Sequence, residues 1–323
     1  MDDESLVCAY ALDGSGGGRA LGWAEIDGWR EQDGPLWLHF DRRGSETRRW
    51  LTEASGLSPV VADALLAEET RPRCEPFEDG ILLILRGVNL NPGAEPEDMI
   101  ALRIWIDGRR VITTRARRLL AAQELRERLE AGRGPADVSG LLVATASALI
   151  ARMGPVIDDL DDQADVLEDQ VITQHDASLR GRLVHLRREA IALRRYLAPQ
   201  REALSRLQAE QPDWLSARER IGLREVQDRT VRYLEDLDSI RERAGVVQDE
   251  LANRLSERMN RTMYVLTVVA TIMLPLGFIT GLLGVNVGGI PGQENPHGFI
   301  ALSGLLALLV VVQLIVFRRL RWL

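Results

Sequence analysis

No lysine occurs in this chain of 323 residues, and all 40 basic side chains are arginine. A Walker A loop needs its Gly-Lys-Ser/Thr lysine to reach nucleotide phosphates, so ATP-driven pumping is excluded and any transport must run downhill or on an ion gradient. Cysteine is nearly absent. Cys8 and Cys74 form no CxxC pair, which suggests neither a disulfide framework nor a thiolate zinc site. Histidine is also scarce: His39, His175 and His185 are scattered and read as ordinary surface or core residues rather than zinc ligands. No nucleophile, base and orienting group cluster in the pattern, so an enzyme reading has no support. The opening "MDDESLVCAY" is acidic where a targeting segment would be basic.

Charge is missing altogether from two long stretches, Met263 to Leu283 and Gly298 to Phe317. At 1.5 Å per residue, the 21 residues of the first reach about 31 Å as a helix, the thickness of a bilayer's hydrocarbon core. Arg254, Arg258 and Arg261 precede the first stretch, and Arg318, Arg319 and Arg321 follow the second. The link between them carries only Glu294 and His297. By the positive-inside rule this predicts two membrane spans with both termini in the cytoplasm. Of 40 basic and 48 acidic residues, three Arg and one Glu lie beyond Thr262, leaving 37 against 47, or a net charge of -10 for the remainder. Such a surface repels nucleic acid and attracts cations.

Three regions are expected. Residues 1–135 read as an α/β domain: "LWLHF" from Leu36, "ILLILRGV" from Ile81 and "ALRIWIDGRRVITTR" from Ala101 are β-rich, and Asp107-Gly108 marks a hairpin. The stretch from Glu46 to Glu69 has helical spacing broken near Gly56 and Pro59, and "GSGGGR" at Gly14 reads as a flexible turn. Residues 136–262 read as long helices: two between Val138 and about Gln211, meeting near Thr173 to Ala177, then one starting at Pro212-Asp213 and running unbroken to Gly284. That last helix would be roughly 70 residues and about 105 Å long. Its apolar stripe has nothing within the chain to bury it, which predicts oligomerisation. Residues 263–323 form the membrane hairpin.

Stepping by three and four residues from Asn260 gives Met263, Thr267, Ala270, Leu274, Gly277 and Gly281, one face of mixed polar and small residues suited to a pore wall. Thr267 and Thr271 are open to a second reading, since a membrane threonine often bonds its own i−4 carbonyl. Pro275 removes a backbone donor mid-span and predicts a kink or loosening. Just past the span, Gly284, Val285 and Asn286 place a helix's unpaired carbonyls and an amide oxygen at the membrane surface. Repeated in a ring, these neutral acceptors would bond the hydration waters of a cation. The run from Asp158 to Asp169 holds seven carboxylates, Asp158, Asp159, Asp161, Asp162, Asp165, Glu168 and Asp169. It reads either as a solvated face or as a surface that attracts or senses cations.

The segment "RMNRTMYVLTVVATIMLPLGFITGLLGVN", in a two-span hairpin behind an acidic α/β domain and a very long helix, closely resembles the CorA superfamily of divalent cation transporters. "GVNVGGIPG" and "ETRPRCEPFEDGILLILRGVNLNPG" resemble its ZntB zinc-transporter branch. The resemblance covers nearly the whole chain. It implies a funnel-shaped homopentamer in the bacterial inner membrane, a stalk helix continuing into the first span, and a second span forming an outer ring. It also implies a filter at Gly284, Val285 and Asn286, a pore-entry asparagine at Asn260, and proton-linked movement of zinc. Leu274 and Gly277 stand where the magnesium branch carries methionine and threonine. No resident cofactor or inner-sphere metal site is expected: the pore face offers no His or Cys, so zinc would pass largely hydrated, as magnesium does. A ring of Glu294, with His297 beside it, would concentrate cations at the outer mouth. The readings carried alongside are a magnesium/cobalt-type channel and a membrane-anchored receptor or scaffold.

Overall fold

The computed structural model describes residues 5–173, 178–285 and 295–319. Seven strands, β1 Leu6–Leu12, β2 Gly18–Ala20, β3 Leu36–Asp41, β4 Arg73–Phe77, β5 Gly80–Gly87, β6 Ile100–Ile106 and β7 Arg110–Arg115, form one sheet in the order β2-β1-β3-β7-β6-β5-β4. All neighbours are antiparallel except β3 and β7. The helices are α1 Trp23–Gly28, α2 Ser45–Arg49, α3 Pro59–Leu66, α4 Leu120–Glu130, α5 Val138–Ala151, α6 Gly154–Thr173, α7 Ser178–Glu210, α8 Ala217–Leu283 and α9 Gly298–Arg319. Two compact units result, residues 1–248 and 249–323, and α8 contributes to both.

The sheet carries helices on both faces, which is why β3 and β5 are almost wholly apolar. On one face Leu36, Leu38 and Phe40 pack with Trp50, Leu51 and Leu65. The alternate residues Trp37 and His39 point to the opposite face. Arg103, only 2% exposed, donates to the carbonyls of Ala67 and Glu68 at 2.6 and 3.2 Å. These lie just past the end of α3, where a cation complements the helix's negative pole. On the other side α7 packs on β4 and β5, and the buried Gln200 accepts the Arg86 backbone N–H at 2.6 Å.

The expected hairpin is present as β6 and β7, turning at Gly108 with φ +81. A side chain there would be strained, and its Cβ would come within 2.9 Å of Trp214. Gly56 (φ +70) and Pro59, the first residue of α3 behind the Ser58 cap, break the early helices as expected. The Gly14 turn links β1 and β2 and is held by Asp13, whose Oδ1 accepts from the Ser15 and Gly17 N–H groups.

Two expectations are corrected. Val138 to Gln211 holds three helices, not two: the chain turns at Arg152–Met153, and α6 restarts at Gly154-Pro155. The long helix begins at Ala217 rather than Pro212. Residues 212–215 form a turn, closed by the Leu215 N–H on the Pro212 carbonyl, and Ser216 Oγ accepts the Glu219 N–H at 3.2 Å as the cap. The helix then runs 67 residues without a break.

Candidate functional site

The proposed pore face is built by α8. Asn260, Met263, Thr267, Ala270, Leu274, Gly277 and Gly281 are all exposed. The less exposed residues of the span, Val268, Ile272, Pro275, Leu276 and Ile279, lie on its other side: at 100° per residue Ile272 is about 200° from both Ala270 and Leu274. A matching stripe of less exposed residues runs along α9, Leu302, Leu306, Leu309, Val310, Gln313 and the buried Phe317, and Gln313 reaches α8 at the Thr271 carbonyl. The second span thus occupies the side of α8 opposite the predicted face, which is left open along its whole length. A Cβ built on Gly277 or Gly281 would meet nothing within 4 Å.

The threonines follow their local option. Thr267, Thr271 and Thr280 donate to the carbonyls of Met263, Thr267 and Leu276 at 2.8, 2.7 and 2.9 Å, so their hydroxyl protons are taken and an oxygen lone pair is what each can offer. Pro275 leaves α8 continuous. Its missing N–H would have served the Thr271 carbonyl, one helical turn back. The second span makes good that loss: Gln313 Nε2 donates to the Thr271 carbonyl at 3.3 Å. Charge counting passed over Gln313 as part of an apolar run; its signal was a polar residue in the middle of a span.

At the end of the span Gly284 N–H closes on the carbonyls of Thr280 and Gly281 at 2.9 and 3.2 Å. Gly284 and Val285 are exposed. Asn286 and Glu294 lie outside the described residues, as do His175 and Arg321; His297 is exposed at the start of α9.

The acidic run forms the outer side of α6, with Leu160, Ala164 and Leu167 buried beneath it. Three of its seven carboxylates converge on one cation of α8: Arg243 pairs with Asp161 at 2.9 Å, with Glu168 at 3.2 Å and with Asp165. Asp159 accepts from Gln163 at 2.8 Å. Asp158 and Asp161 face Asp236 of α8, whose pKa is raised by burial and then by those two neighbours. The run is therefore a partly neutralised helix contact as well as a negative surface. A second group of acids was not visible in the sequence, because it joins a loop to α7. Glu95, Glu97 and Glu189 bring their oxygens within 4.8 Å of one another, with His185 Nδ1 at 3.1 Å from Glu189.

Comparison with known proteins places this geometry in context. A family model described as "CorA-like Mg2+ transporter protein" matches residues 32–319. The chain is 45% identical over 327 residues to a protein of Pseudomonas aeruginosa named divalent cation transporter CmaX, covering 100% of this chain and 98% of that one. It is 38% identical over 310 residues to the zinc transport protein ZntB of Pectobacterium carotovorum, covering 96% and 94%. The solved structure of full-length CmaX aligns with a TM-score of 0.87 at 44% identity, covering 100% of this chain and 99% of that one. These relatives are named as transporters, not enzymes.

Proposed function

This chain belongs to the CorA-like Mg2+ transporter family, and on that premise we propose that it moves divalent cations, zinc foremost, across the bacterial inner membrane through the central pore of a homopentamer. Both termini are cytoplasmic, and α8 and α9 are the two spans. The single observation that carries the reading is the open face of α8. A helix pair that served only as an anchor has no need of the polar and small residues Asn260, Thr267, Gly277 and Gly281 on one face. Five copies set around an axis would turn those faces toward one another, with Gly284, Val285 and Asn286 as the filter and Glu294 and His297 at the outer mouth.

The chemistry of that face suits an ion that keeps its water shell. It offers hydroxyl and carbonyl oxygens and no histidine, cysteine or carboxylate, so a bare zinc ion would find none of its preferred nitrogen and thiolate ligands. The similarity to ZntB favours zinc. The lack of nitrogen, thiolate and carboxylate ligands on that face favours a magnesium/cobalt-type channel as the second reading. Purified full-length protein in liposomes, given zinc, cadmium, nickel, cobalt and magnesium in turn with and without a pH gradient, distinguishes the two and reports proton coupling. Asn286→Ala is expected to abolish flux while the oligomer persists; unchanged flux would remove the filter assignment.

A further inference from the structure

On the sheet face that carries Trp37 and His39, a cavity of about 310 Å³ opens between β1, β3 and α4, lined by none of the residues assigned to ion movement. His39 forms its floor. The residue is 2% exposed, and its Nε2 has no hydrogen-bond partner among the described residues. A buried acceptor left without a partner is costly, so a donor placed in the cavity would stabilise it.

Which proton state it presents follows from the other end of the ring. Thr113 Oγ1 lies 2.8 Å from His39 Nδ1, accepts the Trp37 indole N–H at 3.1 Å, and sits 2.9 Å from the Leu38 carbonyl. A hydroxyl has one proton and two lone pairs. Only one arrangement satisfies all three contacts: Thr113 donates to the Leu38 carbonyl, and Trp37 and His39 Nδ1–H both donate to Thr113. Nε2 then carries a bare lone pair, on a ring that lines the cavity. Burial, and then the charge of Arg115, hold the imidazolium form down to a pKa of about 3, so this state persists at cellular pH.

The walls are cationic. Arg115, Arg118 and Arg126 line the cavity against a single carboxylate, Glu127. Arg118 is steadied by Gln123, and Arg126 by Glu130 at 3.0 Å. Among the described residues, the Arg115 guanidinium has only Asp41, at 3.9 Å. Leu119, the N-cap of α4, brings no side-chain acceptor to that helix's positive pole, and Val7 and Leu119 add an apolar wall. The site asks for an anion that also has a proton to donate to Nε2.

The geometry points to a binding site for hydrogen phosphate, or for a small phosphate monoester in its singly protonated form, in the α/β unit, its oxygens held by Arg115, Arg118 and Arg126 and its hydroxyl donated to His39 Nε2. Sulfate has the same oxygens and charge but no proton at neutral pH, which makes it the discriminating control.

Calorimetry and thermal shift on the full-length protein in detergent, at constant ionic strength, test this with inorganic phosphate, glycerol 3-phosphate and sulfate. Saturable millimolar or tighter binding of a phosphate is expected, with sulfate at least about tenfold weaker. Tighter binding of the ester than of inorganic phosphate would identify the organic form; the reverse would identify the free ion. Arg115→Gln and the exposed Arg126→Gln should each weaken binding about tenfold, and His39→Phe should erase the preference over sulfate. The arginine variants keep the test sound if His39→Phe does not fold. Absence of saturable phosphate binding, equal binding of sulfate, or unaltered binding in both arginine variants would overturn the proposal. So would zinc saturating the site in place of the anions and being lost with His39.

Discussion

Leu38 and Leu274 are both leucines in regular secondary structure, yet the first is 0% exposed and the second 71%. The difference extends to their whole units. In residues 5–173 and 178–248 most apolar residues are covered by the chain itself, and buried polar groups largely find partners nearby: Thr114 Oγ1 donates to the Leu65 carbonyl at 2.6 Å, and Arg103 closes the end of α3. In the helical hairpin, the most apolar windows of α8 and α9 are 0% buried. A soluble chain exposing so much contiguous apolar surface would aggregate. The first unit carries its own reason to fold; the second is completed, in our proposal, by lipid on one side and by four further copies on the other.

The sharpest test of that contrast is Asn286→Ala. A residue that only caps a helix costs at most about 2 kcal/mol when removed, whereas a filter ligand repeated in five copies should take flux below detection. Liposome uptake together with size-exclusion of the variant separates the two outcomes. Next in size is the paired substitution of the two leucines. Leu38→Ala should cost about 2–5 kcal/mol by emptying a close-packed site, read by denaturant unfolding with tryptophan fluorescence from Trp37 and Trp50. Leu274→Ala should leave that midpoint within about 0.5 kcal/mol and alter flux instead. A stability loss as large as that of Leu38→Ala would mean the open face is not a pore wall.

A smaller effect concerns how the two spans hold each other. If Gln313 replaces the donor that Pro275 lacks, Gln313→Leu should weaken the hairpin by about 0.6 kcal/mol, the mean for such bonds in membrane proteins. Pro275→Ala restores a backbone N–H for the Thr271 carbonyl. In that background Gln313→Leu should cost almost nothing. Steric-trap unfolding in bicelles gives the four stabilities of the cycle, and strictly additive costs would show that the 3.3 Å contact carries no coupling.

How much of this was legible beforehand depended on whether a signal was local. β3, β5 and the β6–β7 hairpin could be read because their apolar runs and Asp107-Gly108 are contiguous. So could the extent of α8, since nothing between Ala217 and Leu283 stops a helix except glycines and Pro275, which a membrane helix tolerates. β1 and β4 were missed: "RCEPF" contains Pro76, which an edge strand accepts but which argues against a strand on sequence alone. The break at Arg152 was signalled by Gly154-Pro155 and overlooked, because α5 and α6 share one uninterrupted apolar period. The stripe proposed as a pore face could be picked out from its three-and-four spacing, yet its relation to α9 needed the packing of the two helices. The pairing of Arg243 with α6 spans 75 to 82 residues, and the meeting of His39 with Arg115 and Arg126 crosses the sheet. No spacing rule reaches so far along the chain.

The smallest effect tests whether the acidic run of α6 is only a solvated face. Asp236 of α8 has its pKa raised, first by burial and then by Asp161 and Asp158, with Arg232 opposing. A carboxyl group with a raised folded pKa binds its proton more tightly when folded. Its contribution to stability is therefore present below the unfolded value, near 3.9, and is lost as pH rises through the folded value. At pH 7 Asp236 is then a small liability, and Asp236→Asn should raise the melting temperature slightly, with the gain vanishing below about pH 3 where both states are protonated. Millimolar magnesium or zinc should produce the same gain in the parent protein and add little to the variant if cations settle on this surface and relieve the repulsion. If the cations stabilise both proteins equally at every pH, the run attracts no ion to this face, and Arg243 alone accounts for its acids.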